Sequence, residues 1–286
     1  MKFMHYKSGS EVKLAVCCED RIFDVAALGE KLPADFDELL KGGEEAVDAV
    51  AEALTDSEAA DKAEVTGEIV YAPAVPKPGK ILCIGLNYYA HGKEIKMNIP
   101  ETPTVFSKFN NALAAHNEEI KLPREAFKFD YEAELVMVIG KKGKDIPKEE
   151  ALSHVFGYTA GNDVSARDLQ LLTGQWLIGK RCDSFAPIGP CVVTADEIEP
   201  QNLEIGSKVN GEITQLSNTS NMIFECDELI SYISKYITLE PGDVIFTGTP
   251  SGVILGKPEG EQNWLKAGDE MEIFIEGIGS LKNKLA

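Results

Sequence analysis

Apolar and polar positions alternate from the start of the chain. The segment KLAVCCEDRIFDVAAL, residues 13–28, reads as two short strands around a Glu-Asp turn. Between residues 35 and 64 the pattern changes. Apolar residues there recur near helical spacing in a helix-forming composition, which predicts surface helices with one polar face. Residues 71–80, YAPAVPKPGK, carry three prolines and a glycine; proline fixes φ and interrupts regular structure, so this is a linker candidate. Strand patterns dominate afterwards. KILCIGLNY reads as a buried strand leading into a helix start, and TVFSKF, AELVMVIGK, HVFGYTAGND, CVVTADEI, LEIGSKVNGEI, DVIFTGT and EMEIFIEGIG are further strand candidates. One clear helix is expected over MIFECDELISYISKYI, where apolar positions return every three to four residues. Short strands with few helices predict a β-rich α+β roll or sandwich, not an alternating βαβ fold. No repeat of 20–50 residues is visible.

Composition divides the chain further. Of 286 residues, 47 are acidic and 28 are Lys or Arg, a net charge of −19. Residues 1–73 hold 17 acids against 7 bases, so about a quarter of the chain carries half the charge. The expected organisation is a small acidic α+β domain over 1–73 and a larger domain over 74–286. The acidity excludes sequence-independent nucleic-acid binding and anionic membrane surfaces as partners. No apolar run reaches the ~18–20 residues of a membrane span, and no signal peptide is seen at the start. The six cysteines form no CxxC pair, so they are read as reduced thiols and the location as cytoplasmic.

The chemistry concentrates in a few segments. In FDYEAEL, Glu132 and Glu134 are two apart, so a strand would project both from one face. Adjacent carboxylates repel unless a cation lies between them; the alternative is a solvated edge strand. Asp163 follows an apolar run in GYTAGNDVSARDLQ, where a strand would end. If it met the glutamates, the three would form an all-oxygen site suited to Mg²⁺ or Mn²⁺. With Asn87 as a helix cap, His91 and Glu94 would share one face at i and i+3, as a general-base pair or as a surface pair. His5, His116 and His154 have no comparable partner, which argues against a histidine-rich zinc site. Lys108, Arg167, Lys180 and Arg181 supply cations nearby in sequence. The loop in GDVIFTGTPSG offers Thr247, Gly248 and Thr249 to an anion but lacks P-loop spacing.

Seven stretches occur in one order between about residues 80 and 283: ILCIGLNYYAHGKE, FDYEAELVMVIGK, FGYTAGNDVSARDLQ, QWLIGKRCDSFAPIGP, VNGEITQLSNTSNMIF, LEPGDVIFTGTPSGV and IEGIGSLKN. In these the sequence resembles the fumarylacetoacetate hydrolase family. The resemblance implies a mixed β-sandwich roll as catalytic domain, a smaller N-terminal domain and a homodimer. It implies Mg²⁺ or Mn²⁺ on Glu132, Glu134 and Asp163, and a His91–Glu94 dyad on a helix that orders around substrate. Lys180 matches the lysine of the family's GK segment. Lys108, Arg167, Gln170 and Thr249 match positions that line the site or touch substrate. NYYAH replaces the commoner NYADH, KFNNALAAH the commoner KPPSAL, and GKRCDSF the commoner GKSFDTF. These departures bring Asn110, Asn111, His116 and Arg181 to the pocket border and leave the substrate open.

The resemblance also implies a small anionic 2-oxo acid as substrate. The leading expectation is a hydrolase or isomerase acting on an acylpyruvate or fumarylpyruvate-like compound, in aromatic catabolism, through a metal-stabilised enolate. The alternatives are a 2-hydroxyhepta-2,4-diene-1,7-dioate isomerase and an oxaloacetate decarboxylase or tautomerase. A non-catalytic metal- or ligand-binding β-sandwich is the alternative of another class.

Overall fold

The computed structural model describes residues 1–286. Its strands are β1 Lys2–Ser8, β2 Glu11–Cys18, β3 Arg21–Asp24, β4 Ile81–Gly85, β5 Thr104–Lys108, β6 Ala133–Ile139, β7 Val155–Asn162, β8 Ala186–Thr194, β9 Glu204–Val209, β10 Glu212–Asn218, β11 Val244–Phe246, β12 Glu270–Ile275 and β13 Gly279–Leu285. The helices used below are α1 Phe36–Ala53, α2 Ser57–Ala63, α3 Tyr89–Glu94, α4 Arg167–Gln170, α5 Leu177–Lys180 and α6 Cys226–Ser234. The fold is strand-rich α+β with no closed barrel. One large mixed sheet runs β3-β2-β1-β8-β7-β6-β11-β4-β5, and a second runs β10-β9-β12-β13 to the short strand Glu119–Ile120. No helix is long and apolar enough to cross a membrane.

Strand β6 shows why the large sheet forms. Its seven residues are all buried. Leu135, Met137 and Ile139 pack into one core, with α6 and the second sheet. Val136 and Val138 pack into another, with Phe36, Leu39 and Leu40 of α1. A strand covered on both faces needs a continuous apolar run, and AELVMVI supplies one. The solvated-edge alternative for Glu132 and Glu134 therefore fails, because β6 is an interior strand between β7 and β11.

The acidic N-terminal region is joined to the rest by hydrogen bonds. β1 pairs with β8 through Lys2↔Val193 and Phe3↔Val192, so β1–β3 extend the large sheet. The proline-rich stretch is also docked: Ala72 N donates to His5 O at 2.9 Å and Ala74 N to Ile188 O at 3.2 Å. The two regions differ in composition but share both cores.

Three sequence expectations are corrected. LEIGSKVNGEI is a hairpin, not one strand, because Asn210 and Gly211 both adopt positive φ and make a tight turn between β9 and β10. The expected helix over 222–237 is regular only from Cys226 to Ser234. Asn87 is not a cap; Tyr88 holds that position, with no side-chain cap hydrogen bond. One interaction explains the last two. The Asn87 amide accepts from Phe224 N at 2.8 Å and donates to Phe224 O at 3.0 Å and Thr247 O at 2.7 Å. This side chain pins residue 224 ahead of α6 and ties the start of α3 to the strand end after β11.

Candidate active site

Sheet register assembles the carboxylates. In the antiparallel β6–β7 pair, Ala133 lies opposite Asn162 and Glu134 opposite Gly161. Continuing that register sets Asp163 opposite Glu132, and Asp163 N donates to Glu132 O at 3.0 Å. The β6–β11 pair matches Phe246 to Val136, which carries Gly248 to Glu134. Gly248 N donates to Glu134 Oε2 at 2.8 Å. Each of Glu132, Glu134 and Asp163 presents an oxygen within 4.8 Å of the others, and all three are buried.

Cations surround two of the three. Lys180 Nζ donates to Glu132 Oε2 at 2.6 Å and to Asp163 Oδ2 at 2.9 Å. Arg167 bridges Glu132 Oε1 at 2.7 Å and Asp130 Oδ2 at 2.9 Å. Lys108 Nζ faces Asp163 Oδ1 at 2.5 Å as an ion pair without hydrogen-bond alignment, and donates to Phe185 O and Val164 O. The titration shifts follow. Burial alone would raise the Glu132 pKa, but Lys180 and Arg167 outweigh it and hold the group below the usual carboxylate range. Burial lowers Lys180, yet Asp163 and Glu132 outweigh that and keep its ammonium charged. Glu134 is the exception. Burial first, then Asp163 and Glu132, push its pKa well above normal, against partial opposition from Lys180 and the Gly248 N–H.

This set fits a hard divalent cation. Three buried oxygen donors converge, and Glu134 has no paired cation. Mg²⁺ and Mn²⁺ both suit such a site, with waters or substrate oxygens completing the shell.

Next to the carboxylates, His91 Nδ1 lies 3.2 Å from Glu94 Oε2. His91 is buried and stands near Glu132. Glu94 also accepts from Gly252 N at 3.0 and 3.2 Å. A Cβ on Gly256 would collide with the Glu94 carboxylate, so this close approach requires a residue without a side chain. A six-residue helix would be a weak support for a catalytic pair. The 252–256 loop makes it rigid.

The remaining candidates, His116 excepted, are brought to the cluster but are engaged by protein groups. Arg167 and Gln170 sit behind Glu132, with Arg167 Nη1 donating to Gln170 Oε1 at 3.0 Å. Helix α5 packs on α4 so tightly that a Cβ on Gly179 would strike Gln170, which fixes Lys180 beside Glu132. Thr249 Oγ1 accepts from Gln215 Nε2 at 2.8 Å. Arg181 stacks on Phe109 and bonds Ser107. His116 lies away from the cluster, in a turn beside Lys282 of β13.

Two residues that sequence reasoning missed complete the site. Asp130 is fully buried and accepts from Tyr131 N, Ile254 N, Leu255 N and Arg167. It therefore holds both the 252–256 loop and the guanidinium behind Glu132. Its signal was spacing, two residues before Glu132 in FDYEAEL. Gln215 links β6 to the loop after β11 through Ala133 N and Thr249. Only a polar residue inside VNGEITQ marked it.

A buried carboxylate cluster stands beside a His–Glu pair at the strand ends of a β-rich α+β fold, the arrangement of an enzyme's active site. Residues 80–286 match the family model "Fumarylacetoacetate (FAA) hydrolase C-terminal", and the chain belongs to the fumarylacetoacetate hydrolase family. It is 42% identical over 269 residues to the mitochondrial oxaloacetate tautomerase FAHD2A of Bos taurus, covering 92% of this chain and 83% of that protein. The solved fumarylacetoacetate hydrolase of psychrophilic Exiguobacterium antarcticum is 33% identical, with a TM-score of 0.85 over 100% of this chain and 99% of that one. Fumarylpyruvate hydrolase from Pseudomonas aeruginosa, solved in complex with Mn²⁺ and pyruvate, is 35% identical with a TM-score of 0.67. That match covers 77% of this chain and 92% of that one. Enzymes of this family set aside the non-catalytic binding sandwich.

Proposed function

We propose that this chain is a divalent-metal-dependent enzyme of small 2-oxo dicarboxylates whose reaction is the keto–enol tautomerisation of oxaloacetate. The observation that carries metal-assisted enolate chemistry is the His91–Glu94 pair beside the three-carboxylate cluster. Support comes from the 42% identity to a tautomerase over nearly the whole chain. Glu132, Glu134 and Asp163 would hold Mg²⁺ or Mn²⁺, which when bound favours the enolate form of a 2-oxo acid by Lewis acidity. Glu94 accepts from His91 Nδ1 and sets the ring so that Nε2 exchanges the proton with the substrate carbon. The Lys180 ammonium offsets negative charge on the enolate oxygen. Arg167, with Gln170, and Lys108 hold Glu132 and Asp163 in place, and Thr249 faces a substrate oxygen.

A second reading is hydrolysis of an acylpyruvate or fumarylpyruvate C–C bond. The same dyad favours it, since His91 Nε2 could take a proton from water as readily as from carbon. The test is one assay set. Purified protein is stripped with chelator, reloaded with Mg²⁺ or Mn²⁺, and given enol-oxaloacetate and a panel of acylpyruvates, with products identified. The proposal expects metal-restored tautomerisation that is lost in His91→Ala, with metal binding retained. Full activity without metal, or an unchanged His91→Ala variant, would overturn it. Acylpyruvate cleavage without tautomerisation would put the second reading first.

A further inference from the structure

We infer that Gln215 is a positioning residue that turns the Thr249 hydroxyl into a hydrogen-bond donor for an anionic oxygen of the substrate. The inference rests on the 2-oxo acid reading above.

Gln215 stands on β10 in the second sheet and is 1% exposed. Its amide uses every bond it can make. Oε1 accepts from Ala133 N at 2.9 Å and from Ser207 Oγ at 3.0 Å. Nε2 donates to Thr249 Oγ1 and to Pro250 O, both at 2.8 Å. Amide orientation is a matter of which partners can only give or only take. Ala133 N can only donate and Pro250 O can only accept. A flipped amide would set N–H against N–H at one end and oxygen against oxygen at the other.

That orientation fixes the neighbour. Because Nε2 donates, Thr249 Oγ1 must accept, and its own proton is left to point elsewhere. No protein oxygen receives it. Thr249 is 4% exposed, so water does not satisfy the proton freely. It follows Gly248, whose N–H binds Glu134, so the hydroxyl stands at the margin of the carboxylate cluster. A buried donor without an acceptor beside a cation-type site is matched to an oxygen of a bound carboxylate. Gln215 also holds Ala133, between Glu132 and Glu134, so one side chain registers the ligand strand against the substrate contact.

The test is a double-mutant cycle on metal-loaded enzyme, with Gln215→Glu, Thr249→Val and the double variant. The readouts are KM and kcat for oxaloacetate and the calorimetric Kd of oxalate. A glutamate keeps the shape and the acceptor for Ala133 N, but its oxygen captures the Thr249 proton. Each single change should raise KM and Kd about 10–100-fold, the weight of a hydrogen bond to a charged group, with kcat changed far less. The double variant should be no worse than Thr249→Val, and Thr249→Ser should restore near wild-type affinity. Multiplying effects in the double variant, or a Gln215→Glu protein with wild-type KM and Kd, would overturn the inference. Should Gln215→Glu fail to fold, unchanged affinity in Thr249→Val would overturn it alone. Wild-type protein that neither binds oxalate nor turns over a 2-oxo acid would instead remove the functional reading, and this inference with it.

Discussion

Replacing Glu134 by Gln should make the metal-free protein more stable while abolishing its response to metal. Glu134 presents an oxygen within 4.8 Å of both Glu132 and Asp163. Unit charges at that separation repel by about 3.5 kcal/mol at an effective dielectric near 20. Glu132 and Asp163 each have bonded cations, whereas Glu134 has only the Gly248 N–H and the more distant Lys180. Those two offset part of the repulsion, and an amide keeps the Gly248 acceptor. The expected gain in metal-free protein is about 1–3 kcal/mol, or about 2–6 °C in Tm for a chain of this size. Wild type should recover the difference on loading, since an ion at 100 times its Kd stabilises by about 2.7 kcal/mol. Differential scanning calorimetry in EDTA, then in Mg²⁺ or Mn²⁺, reads both effects. A Glu134→Gln protein that melts below wild type in EDTA, or that keeps the wild-type metal shift, would refute the reasoning.

Gly256→Ala should displace Glu94 from the loop, because the new Cβ meets its carboxylate. Turnover should fall by about 10²-fold or more, the scale of losing an oriented general base, while the metal-dependent Tm shift stays intact; equal losses of both would point to general misfolding. Burial lowers His5 to about 4, opposed in part by Ala74 O and Asp35, and burial with Lys282 lowers His116 to about 4. Unfolded histidines titrate near 6.5, so between pH 6.5 and 4 the unfolded chain binds protons that the folded chain refuses. Stability should therefore fall as pH drops through that window, by up to about 3 kcal/mol for His5 alone; flat urea-unfolding energies between pH 6.5 and 5 would contradict this. Lys108→Met removes the ion pair of Asp163 and should weaken metal binding through misplacement of that ligand, as isothermal titration would show; unchanged affinity would make Lys108 incidental to the site.

The sequence made the faces of strands legible, but not their partners. Glu132 and Glu134 were placed together because side chains in a strand repeat every two residues. Asp163 joined them only through the β6–β7 register, which motif order could imply and spacing could not derive. The same limit affected the cations. Lys108 and Arg167 read as groups free to meet a substrate, yet each is already bound to a carboxylate of the site. Nothing in a sequence distinguishes an arginine facing a cavity from one facing Asp130. Long-range side-chain bonds were hidden for similar reasons. Asn87 looked like a cap because amides favour helix starts, but it reaches residues 224 and 247. The Asn-Gly turn at 210–211 is a local signal, and it splits the apolar pattern of LEIGSKVNGEI into two paired strands.

A net charge of −19 sets the average field of the protein against an anion. The balance that decides binding lies within the site. Four buried carboxylates, Asp130, Glu132, Glu134 and Asp163, face three buried cations, Lys108, Arg167 and Lys180. Fully ionised, the cluster carries −1. Arg181 adds little, because Ser107 and Phe109 already occupy it. Lys108 and Arg167 are thus spent on holding carboxylates, and Lys180, itself paired with Glu132 and Asp163, is the one cation assigned to the substrate. A dication changes the sign, taking the cluster from −1 to +1. Affinity for an anionic acid therefore depends on the ion before any step of chemistry does. The acids of residues 1–73 do not enter that balance at short range, since exposed charges beyond about 8–10 Å are screened at ordinary ionic strength.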